Sequence, residues 1–174
     1  MTRENNMQDQ INTSTDIAET ADQFLSFLID DEEYGIEILK VQEIKSWGPY
    51  TPLPKSPDYV LGVINLRGAI VPIIDLRCRF GLPPTDYTAT TAVIIVRTGE
   101  GENARIIGLV VDSVSEVYHL SPDAIQDASD GHSGDKANYV RGFGQIGNKL
   151  VILVNLDPII TQSLGQIEQM ADAA

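Results

Sequence analysis

Cysteine is almost absent: Cys78 stands alone among 174 residues. No internal disulfide can form, and nothing points to an oxidising compartment, so the cytosol is the expected location. Long apolar runs are missing too. The most apolar stretches, residues 106–111 and 150–154, fall far short of the roughly 20 residues that span a bilayer, so no direct membrane insertion is expected. The opening MTRENNMQDQ has no basic start leading into an apolar segment, and Thr2 stands where myristoylation needs glycine. No export by that route is expected. Basic residues are scarce, 12 against 25 acidic ones, for a net charge of −13. A chain this acidic is repelled by phosphate backbones, so nucleic acid is not an expected partner. The only histidines, His119 and His132, are 13 positions apart. That spacing does not cluster metal ligands, and neither a metal nor a cofactor is expected.

Hydrophobic residues make up 43% of the chain and charged ones 21%, enough apolar surface for a core and too little charge for a disordered polyelectrolyte. Residues 1–22 carry Arg3 against five acids and lack an apolar period, which reads as a flexible acidic tail. The folded body is expected over 23–161, with 162–174 as a C-terminal tail. There Leu164, Ile167 and Met170 recur every third residue and leave a helix open. Within the body, short β-branched runs at 24–29, 59–66, 69–76, 92–96, 106–111 and 150–156 alternate with turn chemistry, which predicts a mainly β protein. Helix starts are signalled at Ser121-Pro122-Asp123 and Asn155-Leu156-Asp157-Pro158, and both helices are expected to be short.

An internal repeat decides the architecture. Gly35, Ile38, Val41, Glu43 and Ile44 match Gly108, Val111, Val114, Glu116 and Val117 at a spacing of 73. Tyr59, Val60 and Gly62 match Tyr139, Val140 and Gly142 at a spacing of 80, as Val71, Ile73, Asp75 and Leu76 match Val151, Leu153, Asn155 and Leu156. The chain is two copies of one small β unit. Neither copy is large enough to be very stable alone, so the two should pack together and leave a seam that serves as a binding site.

Catalytic patterns are weak. Gly142-Phe143-Gly144-Gln145-Ile146-Gly147 matches a dinucleotide fingerprint, but the residues after it read as a strand where the fingerprint needs a helix. Ser113, Ser115 and Cys78 lack any nucleophile signature. The acidic run 30–33 lacks the glycine and spaced oxygens of a calcium loop and reads as a solvated turn. What remains is the turn Asn65-Leu66-Arg67-Gly68 between two apolar strands. Its bland reading is an exposed hairpin arginine. Yet Glu43 has a twin in Glu116, whereas Arg67 faces Gly147, and asymmetry between repeats is where function is added. Arg67 is therefore the better functional candidate.

The segments Tyr34-Gly35-Ile36-Glu37-Ile38-Leu39-Lys40-Val41-Gln42-Glu43-Ile44, Tyr59-Val60-Leu61-Gly62-Val63-Ile64-Asn65-Leu66-Arg67-Gly68 and Ile70-Val71-Pro72-Ile73-Ile74-Asp75-Leu76-Arg77 resemble the CheW family of chemotaxis coupling proteins. Gly108-Leu109-Val110-Val111-Asp112-Ser113-Val114-Ser115-Glu116-Val117 is similar to that family's second half, and the resemblance runs from about Gln23 to Thr161. It implies two intertwined five-stranded β-barrels of SH3-like type and an adaptor that is not an enzyme. It also implies two partners: the cytoplasmic tip of chemoreceptors (methyl-accepting chemotaxis proteins) and the regulatory domain of the histidine kinase CheA. Self-association into arrays at the inner face of the membrane is part of the same expectation. By motif position, the receptor-contacting residues would be Arg67, Glu43, Val41 and Asn65, with Gly62 and Gly68 shaping the turn. No motif marks the kinase-binding residues. No fused receiver domain or kinase core is expected. Two alternatives stay open: a coupler for a different chemosensory pathway, and a small hydrolase using His119, Asp112 or the turn at 142–147.

Overall fold

The computed structural model describes residues 23–128 and 138–172, with side chains as far as Met170. The expected acidic tail at 1–22 and His132 lie outside the described residues. Eleven strands are present among them: β1 (Gln23–Ile29), β2 (Glu32–Glu37), β3 (Val41–Ser46), β4 (Val60–Leu66), β5 (Ala69–Asp75), β6 (Ala92–Thr98), β7 (Arg105–Val111), β8 (Ser113–His119), β9 (Ile125–Asp127), β10 (Val140–Ile146) and β11 (Lys149–Val154). They form a six-stranded sheet, β8-β1-β2-β11-β10-β9, and a five-stranded sheet, β3-β6-β7-β5-β4. The mainly β expectation holds, with β9 adding a sixth strand to one sheet.

The repeats exchange strands. The first two strands of each repeat leave their own unit and join the other, through the parallel pairs β2 with β11 and β5 with β7. The register carries the repeat with it: Gly35 lies opposite Leu153, and its twin Gly108 lies opposite Ile73, the twin of Leu153. Both glycines face a barrel interior, where a Cβ would crowd the side chains of the facing strand. At Gly35 it would sit 3.2 Å from Leu153 Cδ2, and at Gly108 2.6 Å from Ile73 Cδ1.

This exchange explains why β6 and β7 are apolar on both faces. Ala92, Ile94 and Val96, with Ile107, Leu109 and Val111, point into a central cluster shared with Leu25, Phe27, Ile29, Tyr34 and Ile36. Val93, Ile95 and Val110 point the other way, into the interior of the first barrel beside Val71 and Ile73. The second barrel is filled by Phe24, Leu120, Val151 and Leu153. A strand covered on both faces reads as a continuous apolar run rather than an alternation. The groove or seam expected between the two units is corrected: among the described residues, the space between them is filled by the largest hydrophobic cluster.

Helices close the two repeats at matching places. Asp75 caps α1 (Leu76–Arg79) by accepting from the backbone N–H groups of Arg77 and Cys78. Its twin Asn155 accepts from the Asp157 N–H at the start of α2 (Leu156–Asp172). The backbone N–H groups of Asp75 and Asn155 each donate to the twin tyrosine carbonyls, Tyr59 and Tyr139, at 2.7 Å. The expectation that both signalled helices are short fails at the second. The first is one turn, Pro122–Ala124, but α2 runs 17 residues because Ile159, Ile160 and Ser163 are buried, with Leu164 and Ile167 packed on the central cluster. The folded body thus continues past Thr161.

Candidate functional site

The β4–β5 turn is where the two barrels part. Leu66 pairs with Ala69, so Arg67 and Gly68 form a two-residue loop, with φ of 51° and 88°. Two left-handed residues match the twist of a hairpin, and Asn65 Oδ1 holds the loop by accepting from the Gly68 N–H at 2.8 Å. Glycine adopts this backbone freely, whereas a non-glycine residue there costs about 1 kcal/mol. In the second barrel the position of Arg67 is taken by Gly147, at φ 58°.

Arg67 uses its strained position to reach across the barrel. Its Nη1 donates to Glu43 Oε2 at 2.7 Å, and Lys45 Nζ lies 3.9 Å from Glu43 Oε1. Glu43 and Lys45 belong to β3, and β3 and β4 are the two edges of the five-stranded sheet. The ion pair therefore spans the line along which the barrel closes. The Glu43 side chain is 21% exposed and that of Arg67 is 72% exposed, so the carboxylate is seated and the guanidinium is presented. An ion pair this exposed is worth at most about 1 kcal/mol, no more than the strain of the turn, so stability does not account for it.

A cavity of about 400 Å³ opens along the same line. Ile64, Ile73 and Val93 form its floor, Trp47 and Tyr50 a wall, and Lys45 and Asn65 part of its rim. The Trp47 ring lies 4.2 Å from that of Tyr87 and 5.5 Å from that of Tyr50. Tyr87 donates its hydroxyl to Asp75 Oδ2 at 3.1 Å, and burial and that carboxylate together raise its pKa.

The remaining expected residues shape the site from behind. Val41 is half-buried opposite Val96 and packs on the central cluster. Asn65 spends its side chain on the turn. A Cβ on Gly62 would stand 2.1 Å from the Thr51 carbonyl oxygen, where Thr51 bridges to Val63. Gly68 has open space around it and is required only for its φ. Lys45, Trp47 and Tyr87 were missed by sequence reasoning. Their one visible signal is the sole tryptophan set in a loop with Gly48 and Pro49.

Among the described residues, the groups of the competing chemistries are not brought together. Gly142 and Gly144 are in β10 and Gly147 is in the β10–β11 turn, with β11 following rather than a helix. His119 is exposed and shares a hydrogen bond with Gln23. The Cys78 thiol is pushed up first by burial, then by Asp75 and Asp58, away from thiolate reactivity. Asp30 and Asp31 form a left-handed hairpin turn, with the Asp30 N–H donating to Asp112 Oδ2 at 2.9 Å. Among the described residues no group of three or more His, Cys, Asp or Glu could hold a metal ion.

A family model described as "CheW-like domain" matches residues 23–164. The chain belongs to the CheW family. It is 41% identical over 139 residues to chemotaxis protein CheW of Klebsiella aerogenes, covering 80% of this chain and 81% of that one. It is 36% identical over 141 residues to a probable chemotaxis protein CheW of Rhizobium etli, covering 81% and 88%. Among solved structures, the crystal structure of the scaffolding protein TtCheW from Thermoanaerobacter tengcongensis superposes with a TM-score of 0.70 at 32% identity, covering 78% of this chain and 89% of that one. Membership of the CheW family makes this a chemotaxis scaffold protein rather than an enzyme. Among the described residues no helix is long and apolar enough to cross a membrane.

Proposed function

We propose that this CheW-family scaffold works in the cytoplasm, joining the cytoplasmic tip of chemoreceptors to the regulatory domain of the histidine kinase CheA. The observation that carries the receptor side is Arg67: a guanidinium 72% exposed, seated by Glu43, on a left-handed backbone that the twin repeat gives to glycine. A side chain kept at such a cost with no return in stability is placed for a partner. Apolar surface beside it takes the receptor tip, and Arg67 sets the register by pairing with a receptor carboxylate.

The kinase side uses exposed apolar residues that recur in both barrels. Ile44 and its twin Val117 are 47% and 43% exposed, and Ile70 and its twin Leu150 are 65% and 59% exposed. Each barrel thus presents an edge strand and a hairpin end with the same two apolar positions, the kind of surface that a kinase domain of similar fold would meet barrel to barrel.

Titration calorimetry against the purified CheA regulatory domain and against a receptor cytoplasmic fragment tests both sides. Binding to both is expected, with Arg67→Glu losing the receptor fragment and keeping the kinase domain. Absence of binding to either by the unaltered protein, or normal receptor binding by the folded variant, would sink the assignment.

A further inference from the structure

The twin repeat shows what the cavity beside Arg67 is built to take. Carrying the spacing of 73 three residues past Ile44 and Val117 pairs Trp47 with Leu120, just beyond the ends of β3 and β8. The spacing of 80 pairs Ile64 with Gly144. In the second barrel this place is closed from within: Leu120, 2% exposed, lies directly over Gly144, where a Cβ would come within 2.6 Å of its Cδ1. In the first barrel an isoleucine stands in place of the glycine and an indole in place of the leucine. Together they exceed the space that one leucine fills over a glycine. Trp47 packs with Ile64 against the barrel core and also meets Tyr87 and Tyr50, and a cavity of about 400 Å³ stays open beside Ile73 and Val93.

The charge around the opening is as specific as its floor. Lys45 lines it, and Arg67 stands two residues after Asn65, which also lines it; both cations meet Glu43, so this cluster of two cations and one carboxylate carries an excess positive charge in a chain of net −13. We infer that this cavity is a socket for a leucine-sized apolar side chain of the partner, presented beside a carboxylate that Lys45 and Arg67 receive. The inserted side chain does for the first barrel what Leu120 does for the second. Its apolar surface covers Ile73 and Val93, and the indole of Trp47 closes over it. This rests on the receptor reading above and supplies the chemistry of the contact: an acidic segment with one bulky apolar anchor.

Trp47 is the only tryptophan, so its emission reports on the socket directly. Adding the receptor cytoplasmic fragment to the full chain should shift that emission to shorter wavelength, while the CheA regulatory domain should leave it unchanged. Trp47→Ala should weaken receptor binding at least tenfold, Trp47→Phe should stay within about threefold, and Lys45→Glu should weaken it severalfold, all with kinase-domain binding intact. Thermal melting identifies a variant that fails to fold, in which case the emission shift and Lys45→Glu decide. Receptor binding with unchanged emission and undiminished affinity in both Trp47→Ala and Lys45→Glu would overturn the socket and leave the receptor reading standing. Failure of the unaltered protein to bind the fragment would overturn both.

Discussion

The two barrels share a backbone plan and differ in how each is shut. In the second, Leu120 plugs the interior over Gly144 and the hairpin turn is an unstrained Gly147. In the first, the matching positions are Trp47, Ile64 and Arg67, and the result is an open cavity with a cation held on a strained turn beside it. One barrel is thus filled by its own leucine, while the other keeps a cavity beside an exposed cation. The crossover strands differ in the same way. Where β7 passes to β8, Asp112 accepts from Arg77 Nη2 at 2.6 Å and from the Asp30 N–H at 2.9 Å, with Arg77 only 11% exposed. The twin position on the β2–β3 crossover is Leu39, 73% exposed.

The shared plan can be broken at its glycines. Gly62→Ala drives a Cβ to 2.1 Å from a backbone oxygen and should cost about 3 kcal/mol or more in a urea titration. Gly142→Ala meets the Gln126 carbonyl oxygen at 2.5 Å, against the three-residue strand β9, and should cost less. Equal costs would mean that these two glycines, each beside a register shift in its hairpin, are held with equal rigidity. The crossovers come next. Asp112→Ala leaves the nearly buried Arg77 guanidinium only its longer contacts, to Asp30 Oδ1 and the Pro83 carbonyl oxygen at 3.3 Å, and should cost about 2 kcal/mol, whereas Leu39→Ala should stay within about 0.5 kcal/mol. A loss at Leu39 comparable to that at Asp112 would abolish the distinction.

Exchanging the turns sharpens the comparison with a smaller effect. Arg67→Gly should leave stability unchanged or raise it by up to about 1 kcal/mol, while Gly147→Arg should lower it by about 1 kcal/mol. Of these two variants only Arg67→Gly should weaken binding of the receptor fragment, and a destabilised Arg67→Gly protein would show that the arginine serves the fold. The smallest effect on folding is expected at the exposed twins. Ile70→Asp and Leu150→Asp should each shift stability by less than about 0.5 kcal/mol. Calorimetry with the kinase domain then tells which barrel it meets, and full binding by both variants would remove the hairpin ends from that interface.

The two copies, the strands at 24–29, 69–76, 92–96 and 106–111, and the tight turns at Asp30 and Arg67 were legible because each is a short-range pattern of apolar period and turn chemistry. Glu43 and Arg67 were legible as separate candidates, one by its twin and one by lacking it. Glu43 could be named as one of two partners for Arg67, the other being a receptor carboxylate, but that the two meet at 2.7 Å, 24 positions apart on a strand and a turn, came from the tertiary structure. Trp47 was missed because its neighbours in space, Tyr87, Ile73 and Val93, come from β5, β6 and the linker between the repeats.

The sequence by itself determined that there are two alike β units, where their glycines must stand, and that one turn departs from its twin. Only the tertiary structure decided that each unit gives its first two strands to the other, that the space between them is solid core, and that one barrel is plugged while the other is open. The physical reason is that a repeat specifies which residues pair but not which copy supplies them. Gly35 against Leu153 and Gly108 against Ile73 make the same contacts, crossed, that each copy could make within itself. The choice between those arrangements is made by the whole packed core, because β-pairing between distant segments carries no local signal.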